Sequence, residues 1–99
     1  MDWREQVMEQ KWRNRKKREF DKYVYFISGA GLIKIGSSEY PEFRLEELQR
    51  HSPVHLCLLA KCKGGSKLEA ELHKRFVSDR CRGEWFAPSK ELQEIIEQC

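Results

Sequence analysis

Tyr23-Val24-Tyr25-Phe26-Ile27-Ser28-Gly29-Ala30-Gly31-Leu32-Ile33-Lys34-Ile35-Gly36 is the stretch on which the reading of this chain turns. Its two ends are apolar, β-branched and aromatic, and the small residues from Ser28 to Gly31 supply the positive-φ positions that a hairpin turn needs. The pattern predicts two antiparallel strands. With a four-residue loop closing between Ile27 and Leu32, Phe26 faces Ile33 and Tyr25 faces Lys34. Directly opposed side chains have Cβ atoms roughly 5 Å apart. An ammonium beside a phenol favours phenolate, which eases the use of Tyr25 as a proton acceptor. A strand aromatic is ordinarily packing and a strand lysine ordinarily reaches for water along its stem, and Tyr25 alone reads that way. The pair, followed by Gly36-Ser37 and then Arg44, reads as chemistry.

Outward from the hairpin, Ser37 to Tyr40 leads into Pro41, which suits a first helical position because its missing N–H would be unpaired there. A helix is predicted from about Pro41 to Arg50, with Leu45 and Leu48 facing the core and Arg44 at its margin. A guanidinium so placed can hold a phosphate through paired N–H groups; taken alone, beside Glu46 and Glu47, it reads as a surface arginine. After the break at His51-Ser52-Pro53, the apolar run Val54 to Cys62 predicts a third, internal strand. His51 suits the end of the preceding helix, and His55 keeps an open role.

Ser66-Lys67-Leu68-Glu69 has the form of a capping box, in which Glu69 reaches back to the backbone of Ser66. Against that reading, Leu68, Leu72 and Phe76 make one helical stripe, and Glu69 with His73 makes a second row beside it, directed along a sheet surface. Glu84-Trp85-Phe86 predicts a short edge strand whose aromatic rings close the core, with base stacking as the alternative use. Ser89 is the expected N-cap of a last helix that buries Leu92, Ile95 and Ile96.

Ninety-nine residues make one small domain, and no apolar run approaches the ~20 residues of a membrane span. The opening residues lack a secretory leader pattern, so a soluble protein of the cytoplasm is expected. Four cysteines, at 57, 62, 81 and 99, lack C-x-x-C spacing and are expected as reduced thiols. The formal net charge of +3 is uneven: residues 1–22 hold eight Lys/Arg against five Asp/Glu, and the remainder is balanced. Trp3, Val7, Met8 and Trp12 recur at helical spacing, so a helix is expected to about Phe20. Arg13, Arg15, Lys16, Lys17 and Arg18 on this arm suit contact with a nucleic-acid backbone. The alternatives are a solvated charged helix and, through the apolar stripe, a homodimer interface.

Tyr23-Val24-Tyr25, Lys34-Ile35-Gly36-Ser37, Arg44, Glu69 with His73, and Gly83-Glu84-Trp85-Phe86, in that order, resemble the GIY-YIG endonuclease superfamily in its phage-associated branch. That branch reads Y-x-Y, I-K-I-G, R, E-x-x-x-H and G-E-W-F. Tyr23 stands where the first Gly of the superfamily name would be, and Lys34 replaces the Tyr of the second triplet. The late Asn of the wider superfamily has no counterpart.

The expected architecture is a small α/β (α+β) domain over residues 22–99. It has three mostly antiparallel strands flanked by helices, preceded by a basic helical arm at 1–21. The resemblance implies a Mg²⁺-dependent endonuclease, with Mn²⁺ as a substitute, acting on double-stranded or branched DNA and not on membranes. Glu69 is then the metal ligand, Tyr25 takes the proton of the attacking water, and Lys34 and Arg44 neutralise the phosphate. Tyr23 and His73 are further members of the site. A non-cleaving DNA-binding module of the same fold, a partner-dependent nuclease subunit and a dimerisation protein are the competing readings.

Overall fold

In the computed structural model, which describes residues 22–99, the two apolar runs form the hairpin but close it more tightly than expected. Strand β1 (Tyr23–Gly29) pairs with β2 (Leu32–Ser38), and only Ala30 and Gly31 make the turn, with φ of 51° and 79°. Two successive positive φ angles give the mirror-image turn whose twist matches the strands it joins. Ser28 and Gly29 therefore stay extended and pair with Ile33 and Leu32. The register moves by two residues relative to the four-residue loop: Tyr25 faces Gly36, and Ile27, not Tyr25, faces Lys34. A shift of two preserves the face on which each side chain lies, so Tyr25 and Lys34 still share one side of the sheet, now as diagonal neighbours.

The sheet has five strands and not three, all antiparallel, in the order β3-β1-β2-β5-β4. Strand β3 (Cys57–Lys63) lies outside β1, so the third strand is an edge and not internal. Its residues alternate between exposed and half-buried, the pattern of a strand covered on one face. A bulge leaves Leu59 without a partner on β1. On the other side, β5 (Trp85–Phe86) pairs with β2 at Ile33 and Lys34 alone, and β4 (Arg80–Arg82) closes beyond it after a 3₁₀ turn at Val77–Asp79. The short strand expected at Glu84-Trp85-Phe86 thus forms as β5, but between β2 and β4 and not at an edge, while the three-residue β4 carries too few alternations to announce itself in a sequence.

Helices cover both faces. Helix α1 (Pro41–Arg50), with Pro41 at its start as expected, lays Leu45 and Leu48 on Tyr25, Ile27, Leu56, Leu58 and Trp85. On the opposite face, α2 (Ser66–Arg75) and α3 (Lys90–Gln98) pack Leu72 and Leu92 against Val24, Phe26, Ile33, Ile35, Phe76 and Phe86. Trp85 and Phe86 thus close opposite cores, as neighbours in a strand must. Ser89 caps α3 as expected, its hydroxyl accepting the N–H of Leu92 at 3.2 Å. No helix among the described residues is long and apolar enough to cross a membrane. The expected helical arm, its basic residues 13–18 and its dimer interface lie outside the described residues.

Cys62 of β3 and Cys99 after α3 are joined in a disulfide, while Cys57 and Cys81 are free and exposed, so the expectation of four reduced thiols is corrected. The packing of α3 against β3 brings the two Cα atoms to 5.0 Å, inside the bridging range. A sequence separation of 37 gave no hint of it. Closing a loop of that length removes unfolded-chain entropy, so Cys99→Ser is expected to lower the unfolding free energy by about 2–4 kcal/mol in oxidising buffer. Urea titration with and without a thiol reductant checks this. Equal stability of the two proteins under oxidising conditions would refute it.

Candidate active site

Because β5 meets β2 at only two residues, the edge of β2 from Ile35 onward is left open to other groups. The N–H of Ile35 donates to the Glu84 carbonyl at 3.0 Å. His73 Nε2 lies 2.8 Å from the Ile35 carbonyl oxygen, which can only accept, so this nitrogen carries the proton. The backbone N–H of Ser37 is directed at the Glu69 carboxylate. Helix α2 is thereby seated along the open edge, with Leu72 buried and the row Glu69–His73 turned toward β2. The His73 ring also packs edge-on against Phe86, with centroids 5.0 Å apart.

The capping box does not form in the expected register. Gly65 is the N-cap and Ser66 the first helical residue, which moves Glu69 one position too far along for the reciprocal bond. Nor does Glu69 share a sheet face with Tyr25, as expected for a convergence of Tyr25, Lys34, Arg44 and Glu69. Its helix covers the opposite layer, and the carboxylate reaches the site around the edge of β2.

Tyr25 comes to the same place from the α1 side. Its ring is 2% exposed and lies across Gly36, where a Cβ would overlap the phenol oxygen and Cζ and approach Cε1 to 2.9 Å. Only glycine leaves this space, a direct reason for the Gly that follows Lys34-Ile35. No buried side-chain polar atom among the described residues lacks a partner. Phenol and carboxylate therefore approach consecutive residues, Gly36 and Ser37, from opposite layers.

Lys34, 8% exposed, lies on the Tyr25 face, and its ammonium donates to Glu84 Oε2 at 2.5 Å. A buried ammonium needs such a partner. Burial pushes the Glu69 carboxyl above its ordinary value, and the negative charge of Glu84 pushes the same way. His73, Lys34 and the Ser37 N–H act in the opposite direction without cancelling the rise. A carboxylate that is half-buried and repelled by a second one is a favourable place for a cation. No group of three or more His, Cys, Asp or Glu side chains is gathered for a metal among the described residues. A Mg²⁺ site needs no such cage, because the ion keeps most of its waters and takes one or two carboxylates beside substrate oxygens. Glu69 fits that requirement.

Arg44 lies on the flank of α1 away from β3. The opposite flank is tied to β3 and the segment before it by Glu42, which accepts from Lys61 at 2.8 Å, and by Gln49, which accepts from the Leu56 N–H at 2.8 Å. At 100° per residue, Arg44 therefore points toward β2. Its side chain is 43% exposed, and its guanidinium lies 3.8 Å from the Glu47 carboxylate, a weak tie that leaves it available. Tyr23 shares the Tyr25 face, opposite Ser38 in the hairpin, and its ring lies under the Lys61 ammonium, 4.8 Å from the centroid. His55 contacts the Cys57 sulfur at 3.2 Å and His51 ends α1, both outside this cluster.

Glu84 is the member of the cluster that sequence reasoning left without a role. The Gly83-Glu84-Trp85-Phe86 motif is its signal in the sequence. Only the pairing of β5 with β2 shows that the glutamate ends beside Lys34.

No curated protein and no solved structure matches the chain. The profile of the T5orf172 domain, a phage-associated and nuclease-related domain, matches residues 22–99, the whole of the described fold. By that match the chain belongs to the T5orf172 domain family.

Proposed function

We propose that the chain is a metal-dependent endonuclease that hydrolyses phosphodiester bonds in DNA. One observation carries the reading: a phenol across Gly36 and a half-buried carboxylate at Ser37, with a buried ammonium two pairs along on the same face as the phenol. Family membership supports a nuclease or DNA-binding role in general.

In this reading Glu69 holds Mg²⁺, and a bound divalent ion supplies Lewis-acid polarisation of the scissile phosphate and charge stabilisation on the leaving oxygen. Tyr25, whose ring lies across Gly36, accepts the proton of the attacking water. Lys34 and Arg44 neutralise charge that gathers on the phosphoryl oxygens. Glu84 keeps the Lys34 ammonium in place, and His73 fixes α2 against β2 so that Glu69 stays at the edge. Tyr23 supports Lys61 and the outer rim of the face.

Incubation of supercoiled plasmid and branched DNA with the protein, with and without Mg²⁺, tests the proposal. Nicking or cutting is expected only with the metal. Tyr25→Phe, which removes one oxygen and keeps the buried ring, is expected to slow cleavage by about 10²–10⁴-fold, the range of a lost general base, at an almost unchanged melting temperature. Undiminished cleavage by Tyr25→Phe removes the phenol from the mechanism. Tight DNA binding without cleavage under Mg²⁺ or Mn²⁺ favours the non-cleaving module instead.

A further inference from the structure

Two aromatic rings that the proposed mechanism does not use stand at the start of α1. Phe43 is 66% and Tyr40 52% exposed, and they meet edge to face with centroids 6.2 Å apart. The backbone that carries them is fixed at the helix start: the Tyr40 N–H donates to Ser38 Oγ at 3.0 Å, and the Arg44 N–H donates to the Tyr40 carbonyl at 3.1 Å. Tyr40 follows Ser37, the residue at the Glu69 carboxylate, by three positions.

Their direction follows from the helix. Pro41 is buried, and Leu45 and Leu48 lie on the sheet, while Glu42 and Gln49 are tied on the β3 side. At 100° per residue, Phe43 then falls beyond Arg44, on the side of α1 turned away from the sheet, and the ring of the N-cap Tyr40 meets it there. Around α1, the half-exposed Arg44 side chain thus lies between the exposed Phe43 and the face of the helix that packs on the sheet.

We propose that the Tyr40–Phe43 pair is a stacking platform for an unpaired nucleobase next to the cleaved linkage, so that the preferred substrate carries a single-stranded or frayed segment there. The proposal rests on the endonuclease reading for the position of the linkage. The chemistry of the patch fixes the occupant. Rigid flat rings beside a cation suit a base whose own phosphate is anionic, and the guanidinium serves that phosphate while the rings serve the base. Within a duplex the faces of the bases are already stacked on one another, so the platform gains nothing from fully paired DNA. Its rings tolerate any base, which gives preference for structure over sequence.

The test uses the full chain and oligonucleotides of equal length and charge: a blunt duplex, the same duplex with an unpaired flap, and single-stranded DNA and RNA. Binding is read by fluorescence anisotropy and cleavage on denaturing gels. Wild type is expected to prefer the substrates with unpaired bases. Tyr40→Ala with Phe43→Ala is expected to weaken binding to those substrates by roughly tenfold to a hundredfold, the range for losing base stacking. Binding to the blunt duplex and the melting temperature should stay unchanged, because both rings are exposed. Phe43→Trp should keep the preference.

If the double variant retains the wild-type preference, the proposal fails, whether or not cleavage occurs. If the preference depends on the two rings but no substrate is ever cut, the platform stands and the endonuclease reading fails. A double variant that changes only the sedimenting mass of the protein makes the patch an interface between copies and overturns the proposal. The DNA and RNA arms identify which nucleic acid supplies the base.

Discussion

Glu69→Gln is expected to abolish cleavage while making the folded protein more stable at neutral pH. The activity loss should be on the order of a hundredfold or more, the scale of removing one electrostatic stabiliser of a transition state. The stability gain follows from the raised carboxyl. Burial and the charge of Glu84 disfavour ionisation in the folded state, so the folded protein binds this proton more tightly than the unfolded chain does. The sign is then fixed by linkage. Below the ordinary value of 4.5 the carboxyl is protonated in both states and costs nothing. As pH rises through the raised folded value, stability falls, and above it the loss is complete.

Glutamine has no proton to lose and escapes that loss. Thermal melts at pH 4 and pH 7 should therefore show the variant ahead of wild type at pH 7 alone. Mg²⁺ should raise the melting temperature of wild type at pH 7, since a ligand bound only by the folded state stabilises it, and should do little to Glu69→Gln. A variant no more stable than wild type at pH 7 contradicts the electrostatic account. An equal Mg²⁺ response in both proteins removes Glu69 from the metal site.

Gly36→Ala is the second large effect, and it should damage stability and activity together. The added methyl would meet the Tyr25 ring, which is buried between β2 and α1 and has no room to swing away. Overpacking of this kind typically costs 1–3 kcal/mol, and whatever relief the ring finds displaces the phenol from its place over the strand. Cleavage should fall at least as far as in Tyr25→Phe, which keeps the ring where it is. The pair Gly36→Ala with Tyr25→Leu separates the two consequences. The smaller side chain removes the overlap, so stability should recover relative to Gly36→Ala while activity stays lost, a non-additive result expected only of residues in contact. Denaturant melts and nicking assays on the two single variants and the pair decide it. Additive stabilities would show that the two residues do not press on each other.

How much of this could be read from the chain varies from element to element. The hairpin strands, the Pro41 start of α1 and the Ser89 cap of α3 were legible because each depends on local chemistry: alternation, a missing N–H, a hydroxyl at an N-terminus. The turn was legible in composition but not in length, since Ser28 and Gly29 suit a loop as well as a strand end. Strand β4, the interior place of β5 and the edge position of β3 were not legible, because strand order is a property of pairing partners. The capping-box pattern at Ser66 misled for a similar reason: the motif was present, but Gly65 took the N-cap position.

The candidate site divides along the same line. The sequence by itself determined the faces of the strands, and with them the shared side of Tyr25 and Lys34, because a period of two survives a register shift of two. It also determined that Glu69 and His73 form one row beside an apolar stripe, because 3.6 residues per turn leave no other arrangement. Only the tertiary structure decided that this row belongs to the opposite layer and that its carboxylate meets the edge of β2 at Ser37. It also decided that Glu84 ends beside Lys34 and that Cys62 meets Cys99. Those outcomes depend on β5 being two residues long and on where α3 docks, and contacts between distant parts of a chain are fixed by packing and not by local pattern.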